Sequence, residues 1–205
     1  MFHPSIIDAG TYSTLQKIFE VDEIKKYFAL ASGTSLALQL QHRHSIDLDI
    51  FSAKPINTRI IEVDISSQPG LDFKLVNSNK NMLFSFINSI KCDFIYEPAI
   101  LLNPFTVNEK VNYFSVQDIA AMKMHSICGR GKKKDFFDVY ILIENFGWQT
   151  MLQWFEQKYD SSQLYFLMRS ILYFNDADED PDIEGIPPYT RSWTEIKTYI
   201  KANCA

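Results

Sequence analysis

A mixed sheet flanked by helices and followed by a helical C-terminal portion, an α+β fold, is what this 205-residue chain predicts. Three observations carry that expectation. Short runs rich in Phe, Ile and Val, separated by Asn, Ser and Lys turns, lie between Phe73 and Tyr96 and read as an antiparallel meander. From Ser115 onward apolar residues recur at helical spacing. Upstream, the apolar runs Tyr27 to Ala31 and Ser45 to Phe51 enclose a short helical stretch, so strands and a helix alternate before the meander. The organisation that follows is a sheet-bearing core over residues 1–112 and a helical domain over residues 113–205.

Taken in order, Tyr12 to Lys26 predicts one or two helices, Tyr27 to Ala31 a buried strand, Ser35 to Leu40 a helix and Ser45 to Phe51 a strand. Phe73 to Val76, Met82 to Ile87 and Lys91 to Tyr96 are the meander strands. Helices are predicted over Val116 to Ile127, Lys132 to Asn145, Trp148 to Tyr159, Gln163 to Phe174 and Trp193 to Ala202. There are no internal repeats and no low-complexity tracts.

Composition narrows the class. Hydrophobic residues make up 46% of the chain, enough for a substantial core and against disorder. No apolar run approaches the roughly 18 residues of a membrane span, and the N-terminus lacks a basic region followed by an apolar core, so a cytoplasmic protein without membrane contact is expected. Cys92, Cys128 and Cys204 are far apart and odd in number, which argues against a disulfide framework or a zinc ribbon. The net charge of −5 gives no global attraction for nucleic acid. A polynucleotide would need a local patch, for which Arg130, Lys132, Lys133 and Lys134 are the densest candidate, with Lys74, Lys80 and Lys91 scattered.

The most informative motif is Asp47-Leu48-Asp49. On a strand, residues two apart point to one face, so the two carboxylates would stand side by side. Two ionised carboxylates this close are stable only with a proton or cation between them, and a hard ion such as Mg2+ suits oxygen ligands, with water and phosphates completing its shell. The plainer reading is surface polarity at a strand end. Just upstream, Ser32, Gly33 and Thr34 form a small-residue turn opening a helix, and a helix N-terminus with a hydroxyl and free N–H groups suits a phosphate. Gly33 and Thr34 are therefore the candidate phosphate contacts, and the twelve residues from Ser35 to Ile46 leave room for a helix and a reversal into the strand that carries the acids.

The stretch from Leu30 to Ser52, with its small-residue turn, His42-Arg43 and Asp47-Leu48-Asp49, resembles the opening motif of the AbiEii/AbiGii toxin family of nucleotidyltransferases. A second block, Ala121 to Ser126 around Lys123 and Lys132 to Leu142 around Asp135 and Asp138, is similar to that family's later Lys and D-x-x-D motifs. The likeness covers roughly Tyr27 to Phe146, and Ser32 departs from the family's usual Gly-Gly-Thr or Gly-Ser. The resemblance implies a polymerase-β-like nucleotidyltransferase fold, Mg2+ or Mn2+ held by Asp47, Asp49 and a third acid from a neighbouring strand, and a nucleoside triphosphate as substrate. It also implies the toxin of a type IV toxin–antitoxin or phage-defence system, with an antitoxin encoded nearby that need not bind it, and tRNA or another RNA as acceptor.

Asp93 is the best third acid, because a carboxylate in the otherwise apolar run Lys91 to Tyr96 is costly unless paired, hydrogen-bonded or bound to metal. Its role would be metal ligand or general base; the alternative is a solvent-facing residue of an alternating strand, with Asp64 and Asp72 as weaker substitutes. Lys123 falls on an apolar helical stripe, where it either snorkels to water or meets an anion such as a β- or γ-phosphate. Asp135 and Asp138 share a helix face; the resemblance implies a site role, while dipole-favoured acids or a salt bridge to Lys134 or Lys123 are the structural alternatives. Arg43 either orients phosphates or ties its turn to the carboxylates. His42 and His44 have no acid or Cys at zinc-ligand spacing. The run Asp176 to Glu184 lacks the Gly and terminal acid of a calcium loop and reads as solvated loop. Two other readings stay open: a non-catalytic nucleotide-binding or regulatory protein, and nucleotidylation or phosphotransfer onto protein hydroxyls.

Overall fold

The computed structural model describes residues 2–204. They divide into two compact units: residues 2–40, 45–100 and 104–115, and residues 41–44, 101–103 and 116–204.

The first unit begins with the helices α1 (Ala9–Ile18) and α2 (Asp22–Tyr27). The Asp8 carboxylate caps α1 by accepting the Thr11 N–H at 2.9 Å. Strand β1 (Phe28–Leu30) leads into α3 (Ser32–Leu40) and then β2 (Leu48–Ser52). Helix α4 (Thr58–Ser67), capped by the Asn57 side chain, precedes the meander β3 (Phe73–Ser78), β4 (Met82–Ile87) and β5 (Ile90–Tyr96). A hairpin of β6 (Thr106–Asn108) and β7 (Val111–Tyr113) completes the described strands, which form one seven-stranded sheet in the order β3-β4-β5-β2-β1-β7-β6. The pairs β2/β5 and β1/β7 are parallel and the others antiparallel, so the sheet is mixed as expected. Helix α3 starts three residues earlier than its apolar period, taking the Ser32-Gly33-Thr34 turn into its first turn.

Three elements carry no strong sequence signal. Helix α4 has exposed Ile60 and Val63 beside buried Ile61 and Ile65, which blurs its period. Strands β6 and β7 are three residues each, and their two-residue turn uses Glu109 (φ 45°) and Lys110 (φ 70°) where Asn-Gly would announce a hairpin. The β4–β5 turn has the same left-handed pair, Asn88 (φ 51°) and Ser89 (φ 67°), and there the Asn gives it away.

The second unit contains α5 (Val116–Gly129), α6 (Lys133–Phe146), α7 (Trp148–Lys158), α8 (Ser161–Ser170), the short α9 (Asn175–Asp178) and α10 (Trp193–Cys204). Helix α5 packs against α6, α7 and α8, and so is buried on several sides rather than along one stripe. Its first-turn Asp118 is fully buried, accepting the Leu102 and Asn103 N–H groups at 2.9 and 3.2 Å and the Lys158 ammonium at 2.8 Å. Gly147, at φ 79°, ends α6 with its N–H on the Ile143 carbonyl and lets α7 start at once. The acidic run after Phe174 is not simply solvated. It forms α9, and its acids take up basic residues of the same unit: Asp180 with Lys132, Asp182 with Lys133, Asp178 with Lys197.

Lys110 is exposed and holds a left-handed conformation that costs an L-residue about 1 kcal/mol or more. Lys110→Gly should raise the stability of the chain by about 0.5–1 kcal/mol, read as a higher urea midpoint with unchanged slope. A lowered midpoint would show that the lysine side chain contributes more than its backbone costs.

Candidate active site

Backbone geometry at the start of α3 builds one wall of the acidic site. Ser32 adopts φ 58°, turning the chain sharply out of β1, and the Ser35 N–H closes the first helical turn on the Ala31 carbonyl. Thr34 is buried; its hydroxyl lies 2.7 Å from the Ser45 hydroxyl and donates to the Asp47 carbonyl oxygen. Thr34 thus fastens the small-residue turn to the segment that delivers Asp47 and Asp49.

The strand register places the acids. On β2 the residues Leu48, Ile50 and Ser52 are buried on one face, and Asp49 and Phe51 are half-buried on the other. Asp49 is the direct partner of Asp93 on the parallel strand β5, so both side chains leave the same face of the sheet. Asp47 precedes β2 by one residue and is half-buried. Asp93 is 5% exposed. Its Oδ2 accepts the Lys91 ammonium at 2.8 Å, while its Oδ1 is buried with no hydrogen-bond partner among the described residues. Burial is the largest influence on Asp93 and pushes its carboxyl above the usual range; Lys91 pulls it back, and the negative charges of Asp49 and Asp47 push it up again.

These donors suit a hard divalent ion: carboxylate oxygens on adjacent strands, one buried and unsatisfied. As the side chains stand, no three His, Cys, Asp or Glu residues among those described close to metal-holding spacing. The cation beside Asp93 is Lys91.

The second unit gathers the other predicted residues into a separate cluster. Lys123 is buried, with its ammonium 2.7 Å from both Asp135 Oδ1 and Asp138 Oδ2. Arg43 donates to Asp138 through Nε at 2.7 Å and through a terminal nitrogen at 3.0 Å, and to the His44 carbonyl at 3.0 Å. His42, fully buried, gives its Nε2 to Asp138 at 2.8 Å. Burial opposes the charge on Asp138, but Arg43 and Lys123 outweigh it and hold the carboxyl well below the usual range. The same carboxylates overcome burial at Lys123 and keep its ammonium charged, whereas at His42 burial wins over Asp138 and lowers the imidazole. The anion that Lys123 meets in this structure is therefore the Asp135 and Asp138 pair, and Arg43 fastens its own turn to the same aspartate. Arg130 is mostly exposed, with its Nε 3.9 Å from Asp135.

The structure thus brings Asp49 and Asp93 into register with Asp47 nearby, and Arg43, Lys123, Asp135 and Asp138 into one network. Two participants escaped the sequence reading. His42 has no acid or Cys at zinc-ligand spacing, and its partner Asp138 is 96 positions away. Lys91 was counted only as a scattered charge, although Lys91-Cys92-Asp93 repeats the two-residue spacing of the acidic motif and so announces a shared strand face.

Removing the carboxylate at the centre of the second network leaves Arg43 and Lys123 buried and undercompensated. Asp138→Asn should cost about 3–5 kcal/mol near neutral pH. Because the folded pKa of Asp138 is depressed, its stabilisation is complete above the unfolded value of about 3.9 and is lost as pH falls through the folded value. Urea unfolding of the two proteins should accordingly show a constant gap above about pH 5 that narrows in acid. A gap that widens toward low pH would contradict this account of the network.

Comparison with known proteins shows the family to which the chain belongs. Residues 64–199 match the family described as nucleotidyl transferase AbiEii toxin, type IV TA system. That span includes Asp93, Lys123, Asp135 and Asp138. The uncharacterized protein aq_aa25 of Aquifex aeolicus is 32% identical over 180 residues, covering 85% of this chain and 84% of the relative. In fold, the chain is similar to MenT4, a nucleotidyltransferase toxin from Mycobacterium tuberculosis, with a TM-score of 0.62 and 11% identity over 95% of this chain and 81% of that one. It is also similar to JHP933 from Helicobacter pylori, with a TM-score of 0.53 and 16% identity over 97% and 91%. The chain belongs to the AbiEii nucleotidyltransferase toxin family of type IV toxin–antitoxin systems and has its α+β, polymerase-β-like fold.

Proposed function

We propose that this nucleotidyltransferase moves a nucleoside monophosphate from a nucleoside triphosphate to an acceptor hydroxyl of RNA, with tRNA as the first acceptor to test, in a Mg2+- or Mn2+-dependent reaction. The observation that carries the reading is the pairing of Asp49 with a buried, half-satisfied Asp93 on the face of β2 and β5 opposite Leu48 and Ile50. Asp47, Asp49 and Asp93 would hold the ion, which when bound neutralises phosphate charge and favours ionisation of the attacking hydroxyl. The first turn of α3, with Gly33 and Thr34, is bonded through the Thr34 hydroxyl to the Asp47 carbonyl, and its backbone N–H groups would be the phosphate contacts in this reading.

In this reading Asp93 accepts the proton of the acceptor hydroxyl. The acceptor oxygen bonds to the α-phosphorus, the bond from that phosphorus to the bridging oxygen breaks, and pyrophosphate leaves with the electron pair. Lys123, Asp135 and Asp138 hold the His42-Arg43 turn within their own unit, and the Lys123 ammonium is committed to the two carboxylates. The cellular setting proposed is the cytoplasm, as the toxin of a phage-defence pair whose antitoxin is encoded nearby without required contact. In line with this, no described helix is long and apolar enough to cross a membrane.

Asp49→Asn should leave the fold intact, since Asp49 is only half-buried, and reduce transfer by about a hundredfold or more through loss of charge at the site. Incubation with labelled nucleoside triphosphates, in parallel with tRNA and with protein extract, reads both the loss and the acceptor. Transfer retained by purified Asp49→Asn would refute the site, and label on protein alone would replace RNA by a protein hydroxyl.

A further inference from the structure

Asp49 and Asp93, in register on neighbouring strands, favour a counter-charge whether or not a metal is present, and the structure supplies one from the strand of Asp93. Lys91 and Asp93 are two apart on β5 and therefore share a face, and the Lys91 ammonium sits 2.8 Å from Asp93 Oδ2. It also lies within the electrostatic reach of Asp49 and Asp47. The two partners differ in freedom: the Lys91 side chain is 47% exposed, that of Asp93 7%. The carboxylate is fixed by its surroundings, while the lysine has a flexible four-carbon stem and open solvent into which it can swing. Its neighbour in register on β4 is Phe86, itself 43% exposed, so nothing closes over the lysine from that strand.

We propose that Lys91 is a tethered cation standing in for the divalent ion, so that pairing of Lys91 with Asp93 and metal binding at Asp93 exclude one another. This inference rests on the metal reading above. Metal-free, the lysine neutralises part of the acidic face. When the ion arrives, like charge drives the ammonium off the carboxylate and into solvent. Lys91 therefore weakens metal affinity, and the protein holds its ion only where divalent cation or metal-bound nucleotide is plentiful enough to displace a side chain that is always present.

The test is a titration of the full chain with Mn2+ at one pH and ionic strength, following the free-ion electron paramagnetic resonance signal, which reports binding independently of activity. Lys91→Met and Lys91→Gln should bind Mn2+ about three- to tenfold more tightly, the effect of removing one partly solvated charge beside the ion. Lys91→Arg, which keeps the charge, should bind as the wild type does. In the Asp93→Asn background, the Lys91→Met change should have no effect. If Asp93→Asn weakens binding but both neutral Lys91 variants match the wild type or bind more weakly, the tethered-cation proposal is overturned and the metal site stands. If no variant binds Mn2+ in an Asp93-dependent way, both fall.

Discussion

Asp49 and Asp93 stand in register on neighbouring parallel strands, and the repulsion between them is the constraint that the rest of the acidic face answers. Parallel pairing leaves no choice in the matter: register partners project to the same side, so aligning the buried set Leu48, Ile50 and Ser52 with Cys92, Phe94 and Tyr96 brings the acids together on the other. A slip of one residue would bury the carboxylates and expose the isoleucine and phenylalanine. The apolar burial of Ile50 and Phe94, both fully buried, thereby holds two like charges side by side. Sheet stability and site geometry are the same register seen from two faces.

The approach to that register is braced from the chain itself. Thr34 on α3 donates to the Asp47 carbonyl and meets the Ser45 hydroxyl, so the helix that opens beside the acids is bonded to the backbone that presents them. In this chain Ser32 carries the left-handed turn that ends β1, where glycine would be free of strain, and the structure accepts that cost at the point where the helix N-terminus must face the acidic strand.

What could be read ahead of the structure follows from how each signal is encoded. Apolar periodicity reports burial directly, so β4, β5, α6, α7 and α10 were legible within a few residues. Helix α4 and the β6–β7 hairpin were not, because Ile60 and Val63 remain exposed on the former and the latter turns on Glu109 and Lys110 rather than a turn dipeptide. The acidic pair Asp47 and Asp49 was legible through its period of two, and so was Lys91 beside Asp93, had the same rule been applied to a base. The joining of His42 and Arg43 to Asp138 was beyond local patterning, since partners some 95 positions apart leave no trace in spacing.

The two charged clusters show how a fold separates structure from chemistry. In the helical unit, Arg43 and Lys123 face Asp135 and Asp138, two charges of each sign, with His42 pushed toward its neutral form by burial. In this network each ion has a fixed partner of opposite sign, although Asp135 Oδ2 and His42 Nδ1 are buried without a hydrogen bond among the described residues, and a ligand entering it must break a pair that the protein has already desolvated, at a cost of several kcal/mol. On the sheet Asp49 and Asp93 stand in register, Lys91 is the cation beside Asp93, and one buried oxygen of Asp93 lacks a hydrogen bond among the described residues. Two carboxylates side by side next to an unsatisfied acceptor are unfavourable and become favourable on adding a cation, so binding energy can come from the site rather than from the ligand alone. The helical cluster is suited to holding a segment still, and the acids of the sheet, on the reading proposed above, to drawing in a metal-bound triphosphate.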